Sequence, residues 1–210
     1  MKLKYVSLFF LLCLAYLGMG VITQELLKTE VLLAETLLEQ FTRDQVIEVV
    51  NFNRKWEWIT YVLLPMILLL KIALIAKIID VGTFFIDKKV SYNKLYSTVL
   101  RAEFIFLLAP VLKLGWFYFF ESDFGLVDLQ NFYPLSLINI TGYGNLDSWF
   151  IYPLQALNLI EVAYWFLLAF QIKKILDIDF SKSFSVVMGS YGVVLLIWII
   201  AVMFFTLNMS

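Results

Sequence analysis

The chain has 210 residues, 62% of them hydrophobic and 18% aromatic, and its 16 basic and 17 acidic residues leave a formal net charge of -1. With a mean hydropathy of +0.86, this composition lies outside the range of soluble domains and marks an integral membrane protein. The near-neutral charge gives no basis for nucleic-acid binding, and a chain without histidine and with one cysteine, Cys13, offers no metal cluster, no cofactor motif and no intramolecular disulfide.

The first apolar run, residues 5–22, follows Lys2 and Lys4 and is long enough to serve as an uncleaved anchor. The alternative is a signal peptide cut near Gly18-Met19-Gly20. Residues 23–55 are mixed. Leu26, Leu27, Leu33, Leu37, Leu38 and Phe41 recur at helical spacing while Glu25, Lys28, Glu35 and Glu39 fall largely on the other side, which predicts an amphipathic helix. Thr42 and Gln45 have capping-box spacing, so a second short helix is expected to start there. The pair is either a lid on its own spans or a docking surface for a partner.

Four further runs, 56–79, 102–120, 149–172 and 184–207, are each long enough to cross a bilayer. The expected fold class is therefore all-α, a bundle of five transmembrane helices with an extramembrane amphipathic pair between the first and second. The chain divides into 1–22, 23–55 and a four-span domain over 56–210. With the N-terminus cytoplasmic, inside segments carry ten lysines and arginines and outside segments four, which is the distribution that orientation requires. The C-terminus then lies outside. The acidic 121–148 loop also lies outside, where Asn139 and Thr141 form a glycosylation triplet of a kind common by chance. Short loops favour a bacterial inner membrane over a eukaryotic endomembrane.

The stretch KIIDVGTFFIDKKVSYNKLYSTVLRAEFIFLLAP, with FYPLSLINI and LQALNLIEVAYWFLLAFQIKK further on, resembles the Yip-domain family of five-span membrane proteins, over residues 56–207. The family's eukaryotic members carry a long cytosolic N-terminal region; here four residues precede the first run, as in a bacterial-like member. The resemblance implies a non-enzymatic adaptor, assembly factor or accessory subunit that works with the lipid bilayer and with other membrane proteins.

Lys71, Lys113 and Glu161 fall well inside the predicted spans, at comparable depths of roughly 13 to 17 Å from their cytoplasmic ends at 1.5 Å per residue. Unpaired charge there is expensive, so the three are expected to meet, with Asn158 and Tyr164 on the same helix face as Glu161 adding hydrogen bonds. Such a cluster is either an ion pair that fixes packing or a polar cavity for an anion, a lipid headgroup or a proton, as a transporter or channel component would need. Pro65, Pro110 and Pro153 lie in the same three spans and predict kinks. In the last span Ser185, Gly189 and Gly192 mark a small-residue face, either an internal seam or a homodimer contact.

Overall fold

The computed structural model describes residues 2–121, 123–144 and 146–209, with side chains from Tyr5 onward. Lys2 and Lys4, which weigh in the orientation argument, have side chains outside that set. The chain is all-helical. Among the described residues four helices are long and apolar enough to cross a bilayer: Tyr5–Leu26, Trp58–Phe84, Tyr92–Phe119 and Phe180–Met209.

Helix α1 (Lys2–Leu26) continues past the expected end at Ile22. Helices α2 (Thr29–Leu38) and α3 (Arg43–Trp56) follow and pack on each other. The Thr42 amide donates to Gln45 Oε1 at 3.1 Å, the capping interaction that starts α3. Arg54 on α3 pairs with Glu30 on α2. Helix α4 (Trp58–Phe84) follows, with Pro65 in its early turns.

The third long helix begins at Tyr92, ten residues earlier than the sequence reading placed it. It joins α5 (Tyr92–Ala102), a tight 3₁₀ stretch (Glu103–Leu107) and α6 (Leu108–Phe119). Helix α5 is polar enough to read as a loop, yet it buries Leu95, Val99, Leu100 and Ala102 in the main core. The 3₁₀ turn has a cause in Pro110, which offers no N–H to the Phe106 carbonyl and whose ring presses on it.

The fourth run, 149–172, is not one helix. It splits into α9 (Ser148–Ala156) and α10 (Leu159–Leu176), after the short α7 (Leu126–Asn131) and α8 (Ile138–Thr141). The break lies beyond Pro153, at Leu157 and Asn158. Asn158 Oδ1 accepts the Glu161 amide at 2.7 Å, and its Nδ2 donates to the Gln155 and Ala156 carbonyls at 2.9 and 3.0 Å. One side chain thus ends one helix and caps the next, a role helix-interior positions do not allow. Residues 133–141 fold against the break. The Leu137 amide donates to Leu157 O at 3.1 Å and the Leu159 amide to Leu135 O at 3.0 Å, forming an isolated bridge between Ser136 and Asn158.

The final long helix joins α11 (Phe180–Val187), a π-helical turn (Met188–Gly192) and α12 (Val193–Met209). Helix α10 packs on α11 while α9 packs on α12, so the two halves of the split run line successive parts of the last helix. The core gathers Leu12, Ile72, Ile75, Ala76, Ile79, Val99, Tyr164, Leu168, Ile172 and Val187 from five of these helices.

Candidate functional site: a polar cleft inside the bundle

A cleft of about 1130 Å³ opens between α1, α4, α6, α9, α10 and α12. Lys71, Lys113, Asn158 and Glu161 all line it, so four of the five residues expected to cluster share one cavity. They do not pair as expected.

Lys71 pairs with Glu103, not with Glu161. Glu103 is fully buried on the 3₁₀ turn, whereas the Lys71 side chain is 39% exposed and its ammonium stands 4.2 Å from the centroid of the Phe106 ring. An apolar run counted from Ala102 leaves Glu103 at a helix end, which hides it in the sequence; with the helix starting at Tyr92, Glu103 lies near its middle. An apolar face already present at Leu95, Val99 and Ala102 was the available signal.

Glu161 is held by neutral donors. Its Oε1 accepts from the Trp165 indole at 2.8 Å and from the Tyr191 hydroxyl at 2.8 Å. Trp165 is one turn further along α10, and Tyr191 is carried by the π-helical turn of the last helix. Such turns alter the facing of a residue by one position and recur at functional sites. Tyr191 was legible only as a hydroxyl within an apolar run.

Asn158 reaches the Glu161 amide, not its carboxylate. Tyr164 turns away from the cleft, fully buried against Phe106 and Tyr191 at ring separations of 4.8 and 5.5 Å. Among the described residues, its hydroxyl and Glu103 Oε2 are buried without a hydrogen-bond partner. The reason for the mismatch is the cap: α10 begins at Leu159, so the three-residue spacing from Asn158 to Glu161 is a capping interval and not a helix face.

Lys113 lines the cleft half-buried, and among the described residues its ammonium makes no ion pair and no hydrogen bond. The wall is completed by Tyr16, Tyr133, Tyr152 and Gln155. Tyr133 stands on the inserted segment, and burial, with Glu161 and Glu103 nearby, pushes its phenol above the usual range and keeps it neutral. Leu135 beside it adopts φ 58, a left-handed conformation that costs a bulky residue about 1–2 kcal/mol and that its bond from Leu159 holds in place.

The small-residue face falls elsewhere. Ser185 and Gly189 are exposed, the Ser185 hydroxyl bonds back to Ser181 O at 2.9 Å, and nothing lies within 4 Å of a side chain built at Gly189. The close helix crossing uses Gly82 instead, where an added Cβ would sit 2.7 Å from Ser190 Cβ. A Cβ added at Gly192 would lie 3.8 Å from Met188 Sδ and from the Trp165 ring, ordinary van der Waals contact. Ser190 meets Gly82 because it continues the buried face of Ser183, Val186 and Val187, which is not the face that carries Ser185 and Gly189.

Glu161, Asn158 and Pro134 also border a second, largely apolar groove of about 1290 Å³ between α6, α10 and α12. Comparison with models of known families, with curated proteins and with solved structures finds no match to this chain.

Proposed function

We propose that the protein is a non-enzymatic, multi-pass membrane protein whose central cleft receives a small amphipathic molecule from the bilayer, either to hold it or to pass it across. The observation that carries this reading is the interrupted fourth run. An inserted segment and a helix break, clasped to each other by backbone hydrogen bonds, stand at the cleft wall that Glu161, Lys71 and Lys113 also line. Irregular backbone at membrane depth is tolerated where it is enclosed by protein or lines a cavity, and it commonly marks a binding site there. In this reading α9 and α10 together form a fifth crossing, with the N-terminus cytoplasmic and the C-terminus outside, and the bacterial inner membrane is the setting.

The test uses the full chain purified in mild detergent and native mass spectrometry to detect retained small molecules. Wild type is expected to keep one, and Leu74→Trp, which fills the cleft from an exposed wall position, is expected to fold and lose it. A wild-type chain that retains nothing, or a Leu74→Trp chain that retains as much, overturns the reading.

A second reading, an adaptor, assembly factor or accessory subunit of a membrane complex as the Yip-type resemblance implies, is favoured by one feature. Val49, Phe52 and Trp56 form an exposed apolar stripe on α3 at helical spacing. Native purification tests it: a chain that always runs alone counts against a stable partner.

A further inference from the structure

Two opposite charges face the same cleft without touching. Lys113 has no ion pair or hydrogen bond among the described residues, and Glu161 Oε1 is held by two neutral donors, with Lys71, paired to Glu103, acting on it only from beyond ion-pair distance. An isolated charge in the middle of a membrane helix costs roughly 3 kcal/mol or more, so direct contact would relieve both. Trp165 and Tyr191 hold the Glu161 carboxylate in place, and Lys71, which lines the same cleft, is taken by Glu103. What remains is a fixed anion and a free cation across shared space.

A ligand that neutralises both must itself carry both charges. A purely anionic headgroup would satisfy Lys113 and be repelled by Glu161, and a cationic one would meet the reverse penalty. We propose that the cleft binds the headgroup of a zwitterionic phospholipid, with its phosphate at Lys113 and its ammonium at Glu161; this rests on the reading of the cleft as a ligand site. Tyr16, Tyr133 and Tyr152 add hydroxyl groups for the phosphate oxygens and ring faces for the ammonium. The rest of the wall says the molecule is a lipid and not a free soluble zwitterion. Leu70, Leu74 and Val194 line the cleft 59%, 54% and 41% exposed, a surface that suits an acyl chain.

The full chain in detergent micelles doped with equal phosphatidylethanolamine and phosphatidylglycerol, followed by native mass spectrometry of retained lipid, tests this. Wild type is expected to prefer the ethanolamine lipid by about tenfold. Glu161→Gln should lose that preference while still holding the glycerol lipid, and Lys113→Gln should lower retention of both. Lys113 has no ion pair or hydrogen bond among the described residues, so the second variant stays informative if Glu161→Gln does not fold. Wild type holding both lipids equally, or unchanged retention in Lys113→Gln, overturns the proposal. Capture of water-soluble phosphoethanolamine with no retained lipid overturns the lipid assignment. Retention that Leu74→Trp abolishes but neither charge variant alters leaves the cleft reading standing and removes this one.

Discussion

Tyr191, on the π-helical turn of the last long helix, donates its hydroxyl to Glu161 Oε1 at 2.8 Å and so ties that helix to α10 through a carboxylate. The same oxygen serves Trp165. Removing the acceptor leaves two partly buried donors unsatisfied, each worth about 1–3 kcal/mol. Glu161→Ala is therefore expected to lower the thermal midpoint in detergent markedly, and Glu161→Gln, which keeps an acceptor oxygen, to lower it less. Equal losses would show that the two bonds do not matter to stability.

The Lys71 and Glu103 pair predicts non-additivity. Lys71→Met leaves a fully buried carboxyl uncompensated, and losing one partner of a buried pair costs about 3–5 kcal/mol, here toward the lower end because Lys71 is 39% exposed. Lys71→Met with Glu103→Leu should recover most of that loss. A double variant as unstable as the sum of the singles would mean the two side chains act independently.

Gly82 and Gly189 separate a tight crossing from an open face. Gly82→Ala puts a methyl 2.7 Å from Ser190 Cβ, and overpacking of that kind costs about 1–3 kcal/mol. Gly189→Ala meets nothing and should be neutral or gain up to about 1 kcal/mol from helix propensity. Parallel melts of the two variants decide the matter, and a destabilised Gly189→Ala would indicate a contact on that face.

Asn158→Ala removes a cap and two carbonyl contacts, an expected loss of about 2 kcal/mol. Asn158→Ser keeps a capping oxygen and should fall between alanine and wild type. If alanine and serine behave alike, the carbonyl contacts, not the cap, hold the break.

Long apolar runs were legible because composition and length alone decide whether a helix can span, and Trp58–Phe84 or Phe180–Met209 needs no tertiary partner to be recognised. Lys71, Lys113, Asn158 and Glu161 stood out for a related reason, since polar groups in apolar runs have few places to go, but the sequence left open whether they form an ion pair or line a cavity. Pairing was not legible. Whether Lys71 meets Glu103 or Glu161 depends on where one helix starts and on a 3₁₀ turn, and whether Tyr191 reaches Glu161 depends on one inserted residue in a π-helical turn. The split at Asn158 was hidden because residues on both sides are apolar, and only the distant segment 133–141 supplies the partners that make a break tolerable.

The clasp between that segment and the break has a bearing on biogenesis. The Leu135 carbonyl and the Leu137 amide bond to residues flanking the interruption, so neither strand of the clasp is satisfied in lipid on its own. Residues 133–141 are made ahead of 149–172, so the clasp can close only once the later run has emerged and folded back against them. The opened geometry belongs to a late step of maturation, after the neighbouring helices have assembled around it.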